Sequence, residues 1–133
     1  MSEIRLDTPH GCRDELQRCA NGIAQLIPEL TKAIRHETEV QVQCELAEAI
    51  ATVEIADALP KITATEMKAR VVKRLSDDPD GVRAVRLLAT AGVTALNARM
   101  RALEKRLSAA QSALNDHRNE ERSAGFVNAG TRP

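Results

Sequence analysis

The 133-residue sequence has no tryptophan, no tyrosine and a single phenylalanine, Phe126, so its core cannot be aromatic. It also lacks a charge bias: 19 Lys/Arg balance 19 Asp/Glu, whereas electrostatic footprints for nucleic acid usually carry net positive charge. No apolar run approaches the roughly 18–20 residues of a membrane span, and the first residues have neither the basic start nor the apolar stretch of a signal peptide. The three cysteines, Cys12, Cys19 and Cys44, are an odd number without disulfide-scaffold or zinc-knuckle spacing, which reads as reduced, packed thiols in a cytoplasmic protein. No glycine-rich loop with Lys and Ser/Thr opens a helix, which excludes the phosphate cradle of nucleotide hydrolases.

Candidate chemistry is equally sparse. His10, His36 and His117 are scattered, so no thiol or hydroxyl has a base beside it. The sets His10 with Cys12, and His36 with Glu37 and Glu39, fall short of the ligand number and spacing that zinc prefers. We therefore expect no catalytic residues, no metal, no cofactor and no enzymatic activity.

What is present is Leu, Ile, Val and Ala at helical spacing. Residues 1–11 read as a loose arm and 12–122 as a single helical domain, with 123–133 as a flexible tail carrying Phe126-Val127. The first helix has an apolar stripe through Leu16, Cys19, Ile23, Leu26, Ile27, Leu30 and Ile34, resuming through Val42, Leu46, Ile50 and Val53. Pro28 predicts a kink or a break in it, and Leu59-Pro60 ends it. Thr63 with Glu66 is a capping-box pattern that starts a second helix over 64–76. Asp78-Pro79-Asp80 predicts the start of a third, with Asp78 as cap and Pro79 at its first position.

In the third helix Ala89, Val93, Leu96, Met100, Leu103, Leu107, Ala110 and Leu114 alternate in steps of three and four, as the a and d positions of a heptad do. Arg99 and Arg106 fall at g, Glu104 and Gln111 at e. The expected fold is all-α, an antiparallel helical hairpin or coiled coil of about three helices with long first and third members. Val93, Leu96, Met100, Leu103, Leu107 and Leu114 are the candidate seam and partner-binding residues. A chain this small cannot cover two long stripes, so a homo-oligomer is expected, a dimer first.

Charge is divided between the halves. Residues 1–60 carry 5 Lys/Arg against 11 Asp/Glu, and residues 61–133 carry 14 against 8. The two halves can therefore attract each other as the chain folds back. Lys68, Arg70, Lys73, Arg74, Arg83 and Arg86 could instead meet phosphates, but without interleaved aromatics such binding would be confined to the backbone, making nucleic acid the less favoured partner.

Glu66-Met-Lys68-Ala-Arg70, the Val82-Arg83 and Val85-Arg86 steps, and Ala98-Arg-Met-Arg-Ala-Leu-Glu-Lys-Arg-Leu107 through Asn115 and Arg118 together resemble, over residues 45–122, small helical proteins of tailed bacteriophages and prophages found near genes for single-strand annealing recombination. The resemblance implies a non-catalytic accessory of DNA recombination or replication in a bacterial host cell, one that binds a protein of that machinery. The other expectations are a virion component or assembly chaperone held together by its coiled coil, and an inhibitor of a host protein.

Overall fold

A computed structural model describes residues 6–78 and 80–130, except for the side chains of 125–130. It contains three helices, α1 (Pro9–Ala58), α2 (Ala64–Ser76) and α3 (Val82–Gly130), and no strand among the described residues. The all-α class and the long first and third helices are as the periodicity requires.

The helix ends follow from local chemistry. α1 starts three residues before the expected position: the Thr8 hydroxyl accepts the Gly11 N–H at 3.0 Å, and the Thr8 carbonyl accepts that of Cys12 at 3.1 Å. Thr8 is thus the cap, and Pro9 takes the first helical position, where its missing N–H costs nothing. Pro28 does not break α1, which runs through it. α1 ends ahead of Pro60, and Thr63 caps α2 with its hydroxyl 3.2 Å from the Glu66 N–H.

At α3 the expected cap is displaced. The Asp78 carboxylate accepts the Asp80 N–H at 3.0 Å and so holds a turn, while the Gly81 carbonyl accepts the Val85 N–H and opens the helix at Val82. Pro79 lies outside the described residues, as do residues 1–5 of the expected arm and 131–133 of the expected tail. α3 continues to Gly130, past the expected end at 122. The stretch 123–130 holds no proline, and its glycines, Gly125 and Gly130, lower helix propensity without interrupting the backbone hydrogen-bond ladder as a proline would.

The chain divides into two compact units, residues 1–28 with 97–133, and residues 29–96. In the first, α1 and α3 run antiparallel. Leu6 lies by His117, Glu15 by Arg106 and Gly22 by Leu103, so one number falls as the other rises. Cys12, Cys19, Leu26, Ala110 and Leu114 are buried there. A Cβ on Gly22 would stand 3.2 Å from Leu103 Cδ1, so the glycine gives the leucine its seat.

In the second unit Ala51, Ile55 and Val71 form the core, with Ile62, Met67 and Leu75 against it. Val40 and Cys44 continue the buried line along α1. The stripe there faces outward: Val42, Leu46, Ile50 and Val53 are 51–61% exposed, and Ile27 and Ile34 also face outward. Two apolar lines run along this part of α1, and the thinner one, built on Val40, Cys44, Ala51 and Ile55, is turned inward because small side chains let helix backbones approach closely.

Candidate binding surfaces

On α3 the a and d residues Val93, Leu96, Met100, Leu103 and Leu107 are half-buried, and Ala110 and Leu114 are buried. This line is therefore the inward face of α3 within the chain.

At the other side of the first unit's packing is a residue that the sequence reading passed over. Glu15 is only 3% exposed, and its Oε1 takes three donors: Arg106 Nε at 2.8 Å, Arg106 Nη2 at 2.6 Å and the Cys19 thiol at 3.4 Å. Burial first, then the hydrogen bond to Glu15, raises the Cys19 thiol above its ordinary value. The three residues form a polar cluster, and no buried side-chain nitrogen or oxygen among the described residues is left without a partner, which suits register fixing. Glu15 stands three residues from Cys12 and four from Cys19, so the heptad line itself marks it as inward.

His117 Nε2 lies 2.9 Å from the Leu6 carbonyl oxygen and His10 Nε2 lies 3.4 Å from Asp14. Among the described residues no group of three or more His, Cys, Asp or Glu is placed to hold a metal ion, and no helix is long and apolar enough to cross a membrane.

The basic residues border three hollows of the second unit. Arg70, Lys73 and Arg74 share one hollow with Ile55, Ala58, Leu59 and Asp77, and Arg74 Nη1 pairs with Glu54 Oε2 at 2.7 Å. Lys68 lies on the other flank of α2, beside Ala64, Thr65 and Val72. Arg83 and Arg86 border a groove with Cys44 and Glu48, where Arg86 Nη1 stands 4.0 Å from Cys44 Sγ.

The second unit's outer surface is more coherent. Val42, Leu46, Ile50 and Val53 recur at steps of four, four and three, which stacks them along one side of α1. Leu87 and Leu88 on α3 are 72% and 74% exposed. Single exposed aliphatics are ordinary, whereas a stacked line of four is not. Its signal in the sequence is the apolar periodicity of the second half of α1.

Comparison of the chain with protein-family models, with curated proteins and with solved structures finds no match.

Proposed function

We propose that the protein works by presenting helix faces to other proteins and carries out no chemistry of its own. The observation behind this reading is the exposed line Val42, Leu46, Ile50 and Val53, which the chain's own helices leave uncovered. The resemblance of residues 45–122 supplies the setting: an accessory of phage or prophage DNA recombination or replication, in the cytoplasm of a bacterial host, whose partner is a protein of that machinery. DNA is the weaker candidate partner, since Arg74 is paired with Glu54 and Arg86 is turned toward Cys44.

The test is affinity capture from host cells with wild type and with Leu46→Glu/Ile50→Glu, the captured proteins being identified by mass spectrometry. A recombination or replication protein held by wild type and lost from the variant is the expected result. Equal capture by both would remove the α1 face from the account. A second reading, an assembly protein built from copies of this chain, is favoured by the same exposed aliphatic line, which a second copy could cover.

A further inference from the structure

We propose that the turn between α1 and α2 is a second docking site, which takes a short acidic segment of a partner protein carrying a large apolar side chain. It uses none of Val42, Leu46, Ile50 and Val53, so it stands or falls separately from the α1 line. Two hollows lie at this turn. One, of about 510 Å³, has Ile55, Ala58 and Leu59 on its apolar side and Arg70, Lys73 and Arg74 on its polar side. The other, of about 440 Å³, is formed by Ala58, Leu59, Pro60 and Ile62 with Lys61 and Arg70. They share Ala58, Leu59 and Arg70 and so adjoin. Each falls within the roughly 300–1,000 Å³ of ligand clefts.

Charge and apolar surface meet here in the same hollows, and together they select the occupant. On α2, Glu66, Arg70, Lys73 and Asp77 recur at steps of four, three and four, which places them along one side of the helix. All four line the hollows, with the two cations in the middle and the carboxylates at the ends. Arg74 is tied to Glu54, whereas Lys61, Arg70 and Lys73 are exposed and none of the three is in an ion pair with another described residue. Leu59, which lines both hollows, is 39% exposed. Three cations without partners beside an open aliphatic floor call for carboxylates and an apolar side chain on one ligand.

The dimensions and the chemistry narrow it further. At 1.5 Å per residue the line from Glu66 to Asp77 runs about 16 Å, the length of about five residues of extended chain. A nucleic acid strand fits less well. The floor offers no aromatic side chain for a base to stack on, and Glu66 and Asp77 would stand against its phosphates.

A displayed library of random decapeptides, panned against the full chain, tests this. The enriched sequences should combine several Asp or Glu with a large aliphatic or aromatic residue. The leading sequence, made as a fluorescein-labelled peptide, should bind in an anisotropy titration with an affinity that falls as salt rises. Arg70→Gln/Lys73→Gln and Leu59→Asn should each bind it at least about tenfold more weakly than wild type. Arg70 and Lys73 are exposed, so the first variant should keep wild-type helicity by circular dichroism. Leu46→Glu/Ile50→Glu should bind the peptide as wild type does, so loss of the captured partner from that variant and loss of the peptide here are separate results. A library without acidic binders, undiminished binding by Arg70→Gln/Lys73→Gln, or equal binding of the peptide with its large apolar residue changed to Ala would overturn the proposal. Displacement of the peptide by an equal concentration of single-stranded oligodeoxynucleotide would overturn it in favour of nucleic acid.

Discussion

Arg106 donates from both Nε, at 2.8 Å, and Nη2, at 2.6 Å, to the same oxygen of Glu15, a carboxylate buried between Cys12 and Cys19 on α1. A charge in that position is tolerated only while its partner is present, and 91 residues of chain separate the two. The pair therefore ties one register of α1 against α3 to the folded state.

Removing one member should be costly. Arg106→Ala strands the Glu15 carboxylate, and because the arginine side chain is 45% exposed the expected loss is about 2 kcal/mol, below the range for fully buried pairs. Glu15→Leu/Arg106→Leu should recover most of it, since an apolar pair of similar size avoids desolvation. Urea unfolding of the three proteins checks this. A double variant no more stable than Arg106→Ala would show that the pair contributes more than it costs.

The two helical glycines should respond differently to alanine. Gly92→Ala meets nothing and should stabilise the isolated chain by about 0.5–1 kcal/mol, the ordinary helix-propensity gain. Gly22→Ala presses on Leu103 at 3.2 Å and should gain less. Thermal melts in dilute solution compare them, and equal gains would mean that Leu103 is not seated on Gly22. In the same contact, Leu103→Asp should cost about 3 kcal/mol by placing an unpaired carboxylate at the helix interface.

Alkaline pH should weaken the fold through Cys19. Its folded thiol is held above the ordinary value of 9.0 by burial and by Glu15, so the neutral form is favoured in the folded chain. The associated stability is fully present below 9.0 and is lost as pH rises from there through the raised value. The urea midpoint of wild type should fall over that window more steeply than that of Cys19→Ala. Parallel curves would exclude the thiol as the cause.

Reversal of Lys73 and Arg74 to Glu separates the two uses of the basic residues. Arg74 and Glu54 are 48% and 61% exposed, so their pair is worth at most about 1 kcal/mol and the variant should be only slightly less stable. No DNA binding should be lost with it. An anisotropy titration with single- and double-stranded DNA at two salt concentrations is the check: tight, salt-steep binding by wild type, abolished in the variant, would make DNA the primary partner.

The parts of the fold that were legible are those governed by local chemistry. Thr63 and Glu66 announced α2, Leu59-Pro60 ended α1, and the three-four steps of α3 picked out its inward line. Pro9-His10-Gly11 misled because Pro reads as loop until Thr8 is recognised as its cap. In the second half of α1 the stripe Val42, Leu46, Ile50 and Val53 was legible, but periodicity cannot say which of two apolar lines on one helix turns inward, and the thin line that close packing needs was not. Glu15 escaped notice because a lone carboxylate reads as surface until its arginine, far along the chain, is known to face it.

The central claim is that the large aliphatic line of α1 is a surface for another molecule and no part of the chain's own core. Urea unfolding of Leu46→Ser/Ile50→Ser, at a concentration low enough to keep the chain monomeric, tests it most directly, with Ile55→Ala as the buried reference. The account predicts a loss of less than about 0.5 kcal/mol per site for the serine pair and about 2–4 kcal/mol for Ile55→Ala. A loss of several kcal/mol from the serine pair would mean that the chain itself covers those side chains, and it would contradict the account.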